Sequence, residues 1–187
     1  TGHATVRLEN DEGKTVEAYP GVHVPLLLPN SEGTLTVANL IWGLKPTWGD
    51  LSTAKLIFNT RLDTALNQAQ RGYGIWSEAI CSGRCLVPAR WFYETSRTHR
   101  SLSKTTGKPT LAQYRFCMPG RKIFLLAAVA IGGCFSIVTT TPNKEVEQVH
   151  TRMPLVVGPV ESSLWLGQDF SQLADRSNIP LVSELAD

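Results

Sequence analysis

Apolar residues in this chain come in short packets, and that constrains its fold more than any other feature. Seven runs rich in β-branched, aromatic and aliphatic residues (His3–Leu8, His23–Leu28, Leu35–Leu44, Cys85–Tyr93, Leu111–Cys117, Ile123–Ile131 and Phe135–Thr140) are separated by Gly, Pro and Asn. Packets this short, ended by turn residues, suit strands. Helical spacing is scarcer: Asp63–Arg71 follows Leu62 with Ala65, Leu66 and Ala69 on one stripe, Asn143–His150 places Val146 and Val149 together, and Val160–Leu166 starts after Pro159. The pattern predicts an α+β fold: one β-rich, barrel-like domain over residues 1–187, with a mixed or antiparallel sheet and a few peripheral helices. The polar segment Thr95–Pro109 reads as a loop within that domain.

Composition excludes several classes. With 42% hydrophobic and 18% charged residues the chain can build a core and is not a disordered one. The longest apolar stretch, Ile123–Ile131, is about half of what a membrane span needs, and residues 1–8 lack the apolar core of a secretion signal. The expectation is a soluble cytoplasmic protein with no membrane partner. Cys81 and Cys85 have three residues between them, but Cys117 and Cys134 are isolated and no His lies at ligand spacing, so free thiols are expected and no metal.

The formal net charge of +2 conceals an asymmetry. Between Arg84 and Lys122 there are nine basic residues and a single acid, Glu94, while the remainder holds nine basic against fifteen acidic residues. A polyanion partner is compatible with such a segment although the whole chain is nearly neutral.

Four places can carry chemistry. Trp42, Gly43, Leu44, Pro46 and Trp48 either pack a strand end or offer an aromatic platform for an exposed base. Asn59, Thr60 and Arg61 sit at a strand-to-helix junction, where Thr60 or Asp63 can cap the helix, or Asn59 and Arg61 can project into a cleft, the Arg toward a phosphate. Glu94 ends an apolar strand: it is either an ion-pair partner for its basic neighbours or a desolvated carboxyl suited to proton transfer. His150, with Arg152, Met153 and Pro154, ends a short helix, as a helix-terminal His or as a catalytic one.

In order along the chain these four places, with the run Ile137–Asn143 ahead of His150, read Trp42-Gly43-Leu44-x-Pro46-x-Trp48, Asn59-x-Arg61-x-Asp63-Thr64, Arg84-Cys85-Leu86-Val87-Pro88-Ala89-x-x-Phe92-Tyr93-Glu94, Thr139-Thr140-x-x-Asn143 and His150-x-Arg152-Met153-Pro154. The series resembles the SOS response-associated peptidase (SRAP) family, over most of the chain. The resemblance implies a β-rich α+β domain, acting as a monomer near the nucleoid without a cofactor, that binds single-stranded DNA or single-strand/duplex junctions at abasic sites and links to them covalently. It implies that residue 1 supplies the nucleophile, that Asn59 positions it, and that Glu94 and His150 move protons. Arg61 would hold a phosphate, Trp48 would stack on or wedge the DNA, Thr139 or Thr140 would bind backbone, and Arg84 and Arg152 join the DNA-binding set. The family pattern begins Cys-Gly-Arg and this sequence reads Thr1-Gly2-His3: if Thr1 occupies the cysteine position its hydroxyl closes only an oxazolidine while the α-amine can still form a Schiff base, and a native start with cysteine restores the thiazolidine. It also has Arg90-Trp91 for Asp-Gly, Thr95 for Trp, and Val129-Ala130 for Leu-Trp. Two other functions fit the same residues: a non-catalytic nucleic-acid-binding module, and a peptidase that removes its own initiator residue or cleaves peptides.

Overall fold

A computed structural model describes residues 6–9, 15–46, 55–103 and 106–186. In chain order the elements are β1 (Val6–Glu9), β2 (Thr15–Ala18), β3 (His23–Pro29), β4 (Leu35–Trp42), β5 (Asn59–Arg61), α1 (Leu62–Arg71), α2 (Ala79–Ser82), β6 (Arg84–Ala89), β7 (Trp91–Leu102), β8 (Pro109–Cys117), β9 (Phe124–Ile131) and β10 (Cys134–Thr140). They continue with α3 (Lys144–Glu147), β11 (Met153–Pro154), β12 (Val156–Val157), α4 (Ser162–Leu166), a 3-10 turn at Phe170–Ala174 and β13 (Val182–Leu185). The α+β, strand-dominated architecture read from the sequence is the one observed.

Two sheets form. The first, β13-β8-β7-β1-β2, is antiparallel throughout. In the second, β10, β4, β3, β6 and β9 pair in that order, and a further β9–β10 pairing closes them into a ring. Among the described residues, only the β10 pairings with β4 and β5 are parallel in that sheet. The ring is the barrel the strand pattern predicts, and closure leaves its members no open edge.

Both faces of the ring are covered, which explains why its strands are apolar without interruption. On one face Cys85, Val87, Ala89, Phe124, Leu126, Ala128, Phe135 and Ile137 meet Trp42 and, from the antiparallel sheet, Phe92 and Phe116. On the other, Leu86, Ala127, Val129 and Val138 pack under Leu62 and Ala65 of α1, Ile80 of α2 and Trp165 of α4. The alternation along β6, β9 and β10 is the two-residue period of a strand. Trp42 is fully buried, stacked on Phe135, with its indole N–H donated to the Phe58 carbonyl. Of the two readings of the Trp cluster, packing is the one Trp42 takes; Trp48 lies outside the described residues.

The expected loop Thr95–Pro109 is instead mostly strand: β7 runs on to Leu102 and β8 begins at Pro109. Pairing slips between Thr95 and Arg100, where the hydroxyl of the buried Ser96 accepts the amides of Thr98 at 3.3 Å and His99 at 3.0 Å. Such a bulge bends the strand, and beyond it the two strands form a ribbon whose side chains are largely in solvent. Polarity disguised it as a loop because neither face of the ribbon is buried.

Candidate functional site

Strand periodicity gathers the site. On β7, Glu94 lies two residues beyond Phe92 and therefore on the same, core-facing side, directly across from Tyr114 as Phe92 is across from Phe116. Its carboxyl is 16% exposed. Burial pushes it up to about 8, so at neutral pH it is a carboxylic acid. His150 follows α3, its amide held by the Val146 carbonyl. Its Nδ1 stands 3.5 Å from Glu94 Oε2, 2.9 Å from the Arg152 carbonyl and 3.4 Å from the Arg152 amide nitrogen. Protonated at Nδ1 the ring donates to the carbonyl; deprotonated there it accepts the amide. Both tautomers are thus accommodated beside an acid that carries its proton.

The register of β5 on β10 sets Asn59 beside Ile137, Thr60 beside Val138 and Arg61 beside Thr139. Thr60 turns inward and donates its hydroxyl to Ser136 Oγ at 2.8 Å. Asn59 and Arg61, one step either side, are exposed. Neither helix-capping option applies: Arg61 is the residue before α1 and no side chain caps it, while Asp63 in the first turn accepts the Thr64 amide at 2.7 Å.

Asp63 joins the two arginines. Arg61 donates from Nε at 3.1 Å and Nη2 at 2.7 Å to its carboxylate, and Arg152 Nη1 stands 3.6 Å from Oδ2. The Arg61 hydrogen bonds hold the Asp63 carboxyl down at about 2. Arg152 Nη2 also donates to the Thr139 carbonyl at 2.7 Å. Glu94, His150, Arg152, Asp63, Arg61 and Thr139 thereby form one continuous polar strip, from an acid at the rim of the core to two guanidinium groups, Arg61 the more exposed.

Two residues expected in the site lie elsewhere. Arg84 is buried on the other face of the ring, where its five N–H donors meet the carbonyls of Ile80, Cys81, Trp165, Leu166 and Gly167, and its guanidinium sits 4.1 Å over the Phe170 ring. No donor remains for a phosphate. Thr140 points to the face opposite Thr139 and donates to the Ala174 carbonyl at 2.7 Å. Adjacent strand residues face opposite ways, so the pair Thr139-Thr140 cannot act together. Thr1 lies outside the described residues.

Sequence reasoning weighed Asp63 only as a cap and passed over Tyr114 and His99. The bulge carries His99 back so that Nδ1 lies 2.6 Å from the Tyr114 hydroxyl. The strand alternation at 59, 61 and 139 was the available signal for the strip; nothing in the sequence announces the bulge. Among the described residues no three His, Cys, Asp or Glu side chains gather as metal ligands, and no helix is long and apolar enough to cross a membrane.

Known proteins resemble this chain over most of its length. The chain is 26% identical over 152 residues to "Abasic site processing protein YoqW" of Bacillus subtilis, covering 75% of this chain and 62% of the relative. It is 25% identical over 144 residues to "Abasic site processing protein YoaM" of the same organism, covering 75% and 61%. The chain thus spans less than two thirds of the length of these curated relatives. A crystal structure of a Bordetella bronchiseptica protein matches with a TM-score of 0.72 at 16% identity over 100% of both chains. A phage-related protein of the same organism matches at 0.70 and 18%, covering 98% of this chain and 93% of its own. At such identities these two show a shared fold. The family model described as SOS response associated peptidase (SRAP) matches residues 3–184, nearly the whole sequence, and the chain belongs to that family.

Proposed function

We propose that this chain processes abasic sites in DNA, binding the strand along the Arg61–Arg152 strip and forming a Schiff base with the opened sugar. The observation that carries the reading is the Glu94 carboxyl, buried at the rim of the core 3.5 Å from the His150 ring, where burial pushes it up to about 8. Condensation of an amine with the sugar aldehyde forms a C–N bond and must then lose the former carbonyl oxygen as water. That loss needs a proton donor at the oxygen, and Glu94 supplies it; His150, which accepts or donates at Nδ1, returns the proton taken from the amine. The amine belongs to residue 1 in this reading. The names of the Bacillus relatives and the family membership support the substrate, and Arg61 is open to a phosphate on the side Asp63 leaves free.

Borohydride reduces an imine to a stable amine and so captures the intermediate. The expected result is a protein–DNA adduct with single-stranded DNA that holds an abasic site, and none with the intact strand. Glu94→Gln is expected to slow its formation by about 10²–10⁴-fold, and the wild-type rate to fall as pH rises through about 8, where Glu94 loses its proton. Absence of any adduct under reducing conditions overturns the reading.

A further inference from the structure

The bulge on β7 brings together two side chains that the proposed reaction does not use, His99 and Tyr114. Tyr114 is the residue of β8 directly across from Glu94, and Leu185 of β13 lies across from Tyr114 on its other side. Residues opposed in this way put their Cβ atoms about 5 Å apart on one face of the sheet. The half-buried Tyr114 ring packs against the core that holds Phe92 and Phe116. It is therefore the large side chain that β8 sets beside the Glu94 carboxyl, while His150 stands 3.5 Å from that carboxyl.

A tyrosine on a half-exposed sheet can also swing its ring into solvent. Here its hydroxyl is tethered: it lies 2.6 Å from His99 Nδ1, with the two rings 5.9 Å apart. His99 is five residues beyond Glu94, so regular alternation would aim it at the opposite face. Four residues of β7, Ser96 to His99, stand where β8 has only Ala112, and this excess turns His99 back. Two sets of hydrogen bonds hold the turn. The buried Ser96 hydroxyl accepts the amides of Thr98 and His99, and the Arg97 amide donates to the carbonyl of Val149, the neighbour of His150, at 3.2 Å. One local distortion thus fixes the tyrosine beside Glu94 and fastens β7 to the backbone that carries His150. Among the described residues, the titratable groups about the carboxyl are His150 after α3, Tyr114 on β8 and His99 behind it; Arg152 turns its guanidinium to Asp63 and the Thr139 carbonyl.

We propose that Tyr114, tethered by His99, is a positioning residue for Glu94: its ring walls the carboxyl off from water on the β8 side and keeps it turned toward His150. This role rests on the abasic-site reading for the use made of Glu94, but the wall itself needs no DNA.

The test therefore titrates Glu94 in the DNA-free full chain, by the NMR signal of isotope-labelled glutamate carboxyls, with the Glu94 signal identified by its absence in Glu94→Gln. The wild type is expected to titrate at about 8. Tyr114→Ser is expected to lower the midpoint by about one pH unit or more, because water takes the place of the ring. Tyr114→Phe and His99→Ala keep the ring and lose only the tether, and each is expected to lower the midpoint by less than about half as much. The pH at which borohydride capture on an abasic single strand declines is expected to move with the midpoint in each variant. An unchanged midpoint in Tyr114→Ser overturns the wall, as does a fall in Tyr114→Phe equal to that in Tyr114→Ser. An unchanged midpoint in His99→Ala overturns the tether, and because His99 is exposed this variant stays folded and decides the matter even where Tyr114→Ser does not fold. A midpoint that moves without any capture refutes only the reaction, and capture with an unmoved midpoint refutes only the role of Tyr114.

Discussion

Glu94 and Arg84 show how differently two charged residues on consecutive strands, in different sheets, are treated. The Glu94 carboxyl is held neutral by burial, so the folded state keeps a proton that the unfolded chain sheds near 4.5. Between that pH and about 8 the folded state binds the extra proton, and stability falls as pH rises through the interval; above it the full cost of burying the charge, on the order of a few kcal/mol, is present. Urea midpoints at pH 5 and pH 9 are expected to differ in the wild type by more than in Glu94→Gln, whose amide carries no charge at either pH. Arg84 keeps its charge and is compensated by five carbonyls. Arg84→Met is expected to cost about 3 kcal/mol or more in chemical unfolding, because buried carbonyls from α2 and α4 lose their donors together. Lys, with three donors on a flexible stem, is expected to recover only part of that loss.

At the scale of elements, short segments are tied down by contacts that lie far away in sequence. The one-turn helix α3 is capped by Asn143, whose side chain accepts the Val146 amide at 3.0 Å and donates to the Ile179 carbonyl at 2.9 Å. That one residue orders the helix leading to His150 and fastens the approach to β13. Asn143→Ala is expected to lower stability by about 1–2 kcal/mol, read from the thermal midpoint, and to speed amide exchange at Val146 and around Ile179. The same distances explain what was legible beforehand. The runs that became β6, β9 and β10 could be read because burial on both faces leaves a continuous apolar signature. The ribbon could not, since its polar side chains look like a loop when its hydrogen bonds are invisible. Arg84 could not, because three of its five partners come from Trp165, Leu166 and Gly167, more than 80 residues on. Within the site, the i, i+2 spacing of Asn59 and Arg61 was readable, whereas Asp63's grip on both arginines depends on where β10 places Arg152.

Over the whole molecule, the closed ring and the open antiparallel sheet differ in exposure of their backbones. In native-state hydrogen exchange the amides of β6, β9 and β10 are expected to be the last to exchange and those of β2 and β13, the outer strands of the other sheet, among the first. The site sits between these regimes: Thr139 belongs to the ring, while Glu94 belongs to the sheet that opens more readily. The ribbon has a further consequence for the molecule in motion. Arg97 and Arg100 are exposed in a stretch, Thr95 to Gln113, that contains no acidic residue, so a nearly neutral chain keeps a local concentration of positive charge there. Attraction of a polyanion toward that place acts before contact and is weakened by added salt, so salt lowers the frequency of encounter as well as the strength of binding.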